Sequence, residues 1–191
     1  MYCLAGLTST HENWPLKSGY GAYAKKYRIA CVFPDTSPRK TGIPDVDKDW
    51  EFGESAGYYV DSTSDVAKKN FRMFSYVTKE LSQVVSSYFP LDATRQSITG
   101  FSMGGHGALI CAFKTGLYKS VSAFAPMSNP TKSADWGIKG YKFFFSKPEE
   151  EGVEFDATEL VKNGKACKLP CFVDVASQDQ FKEKLICENL R

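Results

Sequence analysis

One eleven-residue stretch, 97–107, constrains this chain more than any other part of its sequence. It reads Ser-Ile-Thr-Gly-Phe-Ser-Met-Gly-Gly-His-Gly, with β-type residues at its start and an Ala- and Gly-rich segment after it. Gly100 to Gly104 form the pattern G-x-S-x-G around Ser102. A strand, a sharp turn and a helix in this order hold a serine on a strained turn, and the glycines remove side chains that would collide there. The pattern predicts that Ser102 is a nucleophile.

The rest of the chain alternates short apolar runs with segments of helical periodicity. Strands are predicted at 1–5, 29–33, 97–101, 121–124 and 171–175, and helices near 18–28, 70–89, 103–115 and 157–161. Because the run 29–33 is apolar on both faces, it is predicted to be a central strand. Asn70 is the predicted N-cap of the 70–89 helix. Strands that alternate with helices indicate an α/β fold, with a mostly parallel sheet and helices on both faces.

The amino-acid composition excludes several classes of function for this chain. The chain has 191 residues, which suggests one domain, and its 24 Lys and Arg against 22 Asp and Glu are interspersed. Without a basic block, neither nucleic acid nor a membrane surface is an expected partner. No apolar run approaches the ~18 residues of a spanning helix, and no signal-peptide pattern opens the chain, so a soluble cytoplasmic protein is expected. The six cysteines lack zinc-site spacing, so we expect free thiols and no metal.

A serine nucleophile needs partners, and the sequence offers candidates for several of them. The oxyanion that forms on the attacked carbonyl needs hydrogen-bond donors. The backbone N–H of Met103, directly after the nucleophile, is one expected donor, and the loop after the first strand, where Leu7 lies, supplies the other. The orienting acid is expected after a later strand. Asp179 follows the last predicted strand by four residues, whereas Asp174 lies inside that strand and is the weaker alternative.

The general base is missing from its expected place. In this type of site the order along the chain is serine, acid, histidine, yet no histidine follows Asp179. The chain has two histidines, His11 and His106. His106 is four residues past Ser102 on the same predicted helix, where we expect a packed or capping side chain. His11 follows the predicted oxyanion loop, and we expect it at the surface or rim.

Seven segments carry a resemblance to a known family, and together they run through most of residues 1–181. They are Leu4–Thr8, Pro34–Arg39, Asp49–Gly53, Gly57–Asp61, Gly100–Leu109, Tyr118–Pro126 and Asp156–Thr158. In these segments the chain resembles the S-formylglutathione hydrolase family, also called esterase D. The resemblance covers far more positions than the G-x-S-x-G pattern alone.

The resemblance implies an α/β-hydrolase fold and a cytosolic, cofactor-free, typically dimeric thioesterase. The family hydrolyses S-formylglutathione to formate and glutathione in formaldehyde removal. By resemblance, Ser102 is the nucleophile and Asp179 the acid, while Leu7 and Met103 supply the oxyanion donors. Trp136 resembles a family tryptophan that lines the small acyl pocket.

The resemblance ends after Phe181. The family's later strand, its histidine-bearing loop and its final helix have no counterpart, and the family has edge strands ahead of Met1. We therefore expect residues 1–191 to form one partial domain, apparently truncated at both ends, with activity impaired by the absent triad histidine. Two alternatives stay open: a truncated non-catalytic product or pseudoenzyme, and a general short-chain carboxylesterase.

Overall fold

A computed structural model of the chain describes residues 1–133 and 135–190, and its centre is a parallel sheet. The four strands are β1 (Tyr2–Leu4), β2 (Ile98–Phe101), β3 (Val121–Phe124) and β4 (Cys171–Asp174), in the order β1-β2-β3-β4. The register pairs Tyr2 with Ile98, Ile98 with Val121, and Val121 with Cys171. Since all neighbours are parallel, the carboxyl ends of the strands lie along one edge of the sheet.

Helices fill the connections between these strands. The α-helices are α1 (Asn13–Lys17), α2 (Tyr20–Tyr27), α3 (Met73–Ser75), α4 (Leu81–Tyr88), α5 (Met103–Thr115), α6 (Trp136–Phe144), α7 (Pro148–Glu151), α8 (Ala157–Lys162) and α9 (Lys182–Leu185). A π-helical turn, Tyr76–Glu80, joins α3 to α4, and 3₁₀ turns lie at Gly152–Phe155 and Cys187–Leu190. The predicted parallel α/β architecture is therefore confirmed.

Helix α5 is the centre of the core. It packs against β1, β2 and β3, and its residues from Met103 to Phe113 are buried. Small residues let its neighbours approach closely: a Cβ added to Gly107 would lie 2.4 Å from the ring of Tyr59. Burial on all sides explains why this helix is rich in Gly and Ala and has no polar stripe.

The sheet is less completely covered away from α5. Strand β4 is an edge strand, and all four of its residues are exposed. Phe101 and Phe172 lie on the face opposite α5 and keep 53% and 55% of their surface accessible. Large apolar side chains with this much exposure are unusual in an α/β sheet, where helices normally cover both faces.

Two predicted elements differ from the structure. The run 29–33 forms only a single parallel bridge, Tyr2 to Val32, so it lies beside β1 at the edge rather than in the centre of the sheet. The helix predicted from Asn70 begins at Met73. Its first three residues are held elsewhere, because Arg72 bridges Asp61 in an antiparallel pair. In both places long-range pairing overrides the local pattern.

Candidate active site

Ser102 lies on a strained turn between the end of β2 and the start of α5. Its φ of 57° and ψ of −119° are unfavourable for a residue with a side chain. Neighbouring strands fix the turn, since the Ser102 N–H donates to the Phe124 carbonyl at 2.9 Å. The Ser102 carbonyl accepts from the His106 N–H at 3.0 Å and from the Met127 N–H at 3.3 Å. The surrounding structure therefore holds this residue in a conformation it would not adopt alone.

The two glycines of the pattern are required by backbone contacts. A Cβ on Gly100 would lie 2.0 Å from the carbonyl oxygen of Gly104. A Cβ on Gly104 would lie 2.1 Å from the carbonyl oxygen of Leu4. Backbone atoms cannot move aside as a flexible side chain can, so the turn brings β1, β2 and α5 into contact only with glycine at both positions.

Ser102 opens into a cavity of about 580 Å³ at the carboxyl ends of the strands. Leu7, Trp136 and Asp179, which come from distant parts of the chain, line the same cavity. Met103 is fully buried beneath it as the first residue of α5. The structure thus brings the sequence-predicted residues together at one site, the edge where ligands bind in open α/β sheets.

Two backbone N–H groups near Ser102 have no protein acceptor in the part of the chain that the structure describes. One is that of Met103, which is free because the first N–H groups of a helix have no intrahelical partner. The other is that of Leu7, in the loop after β1. A Cβ on Gly6 would lie 3.2 Å from the Ser102 Cβ, so this loop passes directly against the serine. Both unpaired N–H groups therefore belong to residues next to Ser102 or to the loop that passes against it.

Hydrogen bonds from distant residues fix the loop after β1. The indole N–H of Trp14 donates to the Leu4 carbonyl at 2.7 Å, and the Tyr59 hydroxyl donates to the Ala5 carbonyl at 2.9 Å. The Thr8 N–H donates to the Ser55 carbonyl at 2.9 Å. With its neighbours engaged in this way, the free Leu7 N–H keeps a fixed position.

An ion pair supports the same loop from below. Arg39 makes two hydrogen bonds to the Asp35 carboxylate, at 2.6 and 3.1 Å, and another to the Ser9 carbonyl at 3.2 Å. Burial alone would raise the pKa of Asp35, but hydrogen bonds from Arg39 and Thr36 outweigh it and hold that pKa below its usual value. The carboxylate therefore stays charged near neutral pH and keeps Arg39 beside the loop.

The two candidate acids occupy different places. Asp179 lines the cavity, and its carboxylate accepts the Phe181 N–H at 2.8 Å. Asp174 lies in the exposed edge strand β4 and does not line the cavity. The geometry therefore favours Asp179 over Asp174 as the carboxylate of the site.

Neither histidine lines the cavity. His11 is exposed on the loop before α1. His106 is completely buried, with its ring 6.3 Å from that of Tyr58 and 6.4 Å from that of Tyr141. Neither of its ring nitrogens has a hydrogen-bond partner among the described residues. Burial lowers the pKa of His106 to about 3, and this effect outweighs the Tyr58 backbone, which raises the pKa. The His106 side chain is therefore neutral and packed in the core.

We expect His106 to make the fold sensitive to acid. In the unfolded chain this histidine binds a proton at pH values below its ordinary pKa of 6.5, whereas in the folded chain it stays neutral down to about pH 3. The free energy of unfolding therefore decreases as the pH falls from 6.5 toward 3. Between pH 7.5 and 4.5, this histidine alone should lower the free energy of unfolding by about 2–3 kcal/mol. His106→Leu, similar in volume, should remove that part of the loss, measured by denaturant unfolding at both pH values. Equal acid sensitivity in the two proteins would contradict the assignment.

An aromatic wall completes the cavity, and two of its members, Trp50 and Phe181, were not assigned to the site from the sequence. Trp136 is 4% exposed and packs edge-on against Trp50, with ring centroids 5.9 Å apart, and against Phe181 at 5.1 Å. Lys139 on α6 pairs with Asp49 at 2.7 Å, next to Trp50, and so ties that segment to the site. The Pro- and Gly-rich composition of the long loop that contains Trp50 was the available indication that it has a functional role.

The described residues also bear on cofactors, thiols and membranes. Within 1–133 and 135–190, no three His, Cys, Asp or Glu side chains cluster in a way that could hold a metal ion. Among the described residues, Cys3, Cys31, Cys111, Cys167 and Cys171 carry free thiols; Cys3 and Cys111 are buried, whereas Cys167 and Cys171 are exposed. In the same residues, no helix has the length and apolar character needed to cross a bilayer.

Comparison with known proteins gives consistent results. A family model described as "Putative esterase" matches residues 1–190. The S-formylglutathione hydrolase of Paracoccus denitrificans is 42% identical over 191 residues, which is all of this chain and 67% of that protein. The chain belongs to the S-formylglutathione hydrolase family. The S-formylglutathione hydrolase of Bos taurus is 47% identical over 182 residues, 95% of this chain, and the match spans 64% of the bovine protein.

A solved structure supports the same relationship. An S-formylglutathione hydrolase from Agrobacterium tumefaciens superimposes with a TM-score of 0.91 at 38% identity, over all of this chain and 70% of that one. The family resemblance and the α/β-hydrolase fold predicted from the sequence are thereby confirmed. The chain spans about two thirds of the length of the family members it matches.

Proposed function

We propose that this chain is the nucleophile-bearing part of a serine thioesterase that hydrolyses S-formylglutathione to formate and glutathione. The observation that carries the proposal is the position of Ser102, on a strained turn at the wall of a 580 Å³ cavity beside two unpaired backbone N–H groups. Family membership supports the choice of substrate. The family resemblance in the sequence also implies a homodimer, which sedimentation of the purified chain would test.

The reaction proceeds in two acyl-transfer steps. The Ser102 Oγ attacks the formyl carbon and loses its proton to a base, and the N–H groups of Leu7 and Met103 stabilise the oxyanion. Collapse of this intermediate breaks the carbon–sulfur bond, and the protonated base gives its proton to the departing glutathione thiolate. Water then attacks the formyl ester, one of its protons passes through the base to the Ser102 Oγ, and the formic acid that is released ionises to formate. Trp136, in the aromatic wall, bounds the space for the small acyl group.

The base is the component that the described residues do not supply. His106 is buried in the core and His11 does not line the cavity, so neither histidine is placed to take the Ser102 proton. We assign to Asp179, which lines the same cavity as Ser102, the role of the carboxylate that would orient an imidazole. Positioned general bases contribute about 10²–10⁴-fold to such reactions, so we expect this chain alone to turn over slowly.

We expect free imidazole to rescue the reaction. The cavity is open to small molecules, and an added imidazole could take the proton that no histidine receives. Hydrolysis of S-formylglutathione by residues 1–191 should rise at least about tenfold with imidazole, and the rise should follow the neutral form of imidazole. Release of free thiol and of formate measures it. A rise of the same size with Ser102→Ala would show that imidazole acts on the substrate directly, and would contradict the proposed nucleophile.

The same assay separates the two other interpretations of the sequence. A general short-chain carboxylesterase would show a kcat/KM for p-nitrophenyl acetate at least as large as that for S-formylglutathione. A non-catalytic protein would form no acyl-enzyme with either compound, even with imidazole present. The exposed edge strand β4 is the observation that favours the non-catalytic alternative, since such edges associate with other chains.

A further inference from the structure

Helix α1 presents one of its faces to the cavity. Asn13, Trp14 and Lys17 are spaced by three and four residues, so they share one side of the helix. The hydrogen bond from the Trp14 indole to the Leu4 carbonyl, 2.7 Å long, fixes that side against the end of β1. All three residues, and Ser18 after them, line the cavity that contains Ser102. A five-residue helix with no buried residue is thus held in place mainly by one tryptophan.

The polar groups on this face are hydrogen-bond donors. Lys17 is the one cationic residue among the described residues that line the cavity, and Asp179 is the one anionic residue. No carboxylate of the described residues pairs with Lys17, although Lys139 and Lys184 nearby both have partners. The Oδ1 of Asn13 accepts the Thr10 N–H at 2.7 Å, which leaves its NH₂ group as a donor.

We propose that Lys17, with Asn13 and Ser18 beside it, binds the glycine carboxylate of the glutathione leaving group. The inference rests on the proposed function, because it takes a glutathione thioester as the substrate. Such a thioester has two carboxylates and one ammonium. The γ-glutamyl carboxylate is compensated by the ammonium on the same carbon, whereas the glycine carboxylate is not. Lys17 attracts this group and Asp179 repels it, so charge alone orients the leaving group toward α1.

The expected strength of this contact is moderate. Lys17 is exposed, and solvent and salt screen an exposed ion pair. We therefore expect a contribution to affinity of about three- to fivefold at low ionic strength, decreasing as salt is added. A contribution of this size selects among thioesters with different leaving groups without affecting the chemistry at Ser102.

The experiment uses a ligand that cannot react. S-methylglutathione has a methyl group in place of the S-acyl group and so no thioester to attack, which means that its binding does not depend on Ser102 as nucleophile or on a base. The chain has three tryptophans, and all of them, Trp14, Trp50 and Trp136, line the cavity, so intrinsic fluorescence reports occupancy. The Kd is measured for the unaltered chain, for Lys17→Gln, and for Lys25→Gln, which removes the same charge from α2 away from the cavity.

Lys17→Gln should raise the Kd about three- to fivefold and Lys25→Gln should leave it unchanged. The glycine ethyl ester of S-methylglutathione should bind equally to all three proteins. The proposal is overturned if Lys17→Gln binds the free acid as tightly as the unaltered chain, or if it loses affinity equally for the acid and the ester. Failure of the unaltered chain to bind S-methylglutathione also overturns it. The proposed chemistry is judged separately, by acylation of Ser102 with S-formylglutathione.

Discussion

Ser102→Ala should abolish acyl-enzyme formation while leaving the fold intact. The Oγ is the atom that forms the ester, and alanine fits the same turn because it removes only that oxygen. With imidazole present, formyl transfer from S-formylglutathione to the protein should fall at least about a hundredfold, to the rate of the uncatalysed reaction. Mass spectrometry of the peptide that contains residue 102 measures the adduct. Ser86→Ala, on the exposed face of α4, is the matched control and should retain full labelling.

A second substitution at the same position distinguishes the loss of the nucleophile from the relief of backbone strain. Ser102→Gly removes the nucleophile and also relieves the positive φ of 57°. We expect Ser102→Gly to be more stable than Ser102→Ala by about 1–3 kcal/mol, although both are inactive. If the Ser102→Ala and Ser102→Gly variants unfold at the same denaturant concentration, the turn stores no strain. Persistent labelling of residue 102's peptide in either variant would point to a different nucleophile.

Gly104→Ala should strongly destabilise the fold although it adds only one methyl group. The added Cβ would lie 2.1 Å from the Leu4 carbonyl oxygen and 2.6 Å from that of Ala5. Both contacts are with backbone, so relief requires α5 to move away from β1. We expect a loss of more than about 3 kcal/mol, which is about 6–12 °C in Tm for a chain of this length. Thermal unfolding followed by circular dichroism measures it.

Gly21→Ala is the matched control for this prediction. Gly21 is in α2, and nothing lies within 4 Å of a Cβ built there. Alanine has a higher helix propensity than glycine, so stability should rise by about 0.5–1 kcal/mol. The same glycine-to-alanine change is therefore expected to lower the stability of the fold in α5 and to raise it in α2. A small effect at Gly104 would mean that α5 and β1 are not in the close contact described.

Local sequence was sufficient to predict the helices and strands whose composition, turn residues and ends all agree. Helix α5 and strand β3 have the bounds predicted for them, because their composition, turn glycines and ends agree. The turn at Ser102 was equally readable from the G-x-S-x-G pattern, although only Gly100 is required by a contact inside the strand–turn–helix unit, whereas Gly104 is required by its contact with Leu4 of β1. Positions after predicted strands indicated Leu7 and Asp179, family resemblance added Trp136, and the structure brings all three to one cavity.

Only the tertiary structure decided what surrounds Ser102. Trp14, Trp50 and Trp136 are far apart in the chain, and their meeting at one cavity depends on how α1, the long loop and α6 pack over the sheet. The same is true of Lys17, whose sequence context is that of an ordinary exposed lysine. The burial of His106 separates it from the serine four residues earlier. Periodicity encodes which side of an element is buried, but the partner that covers it is set by long-range packing, and that packing defines this site.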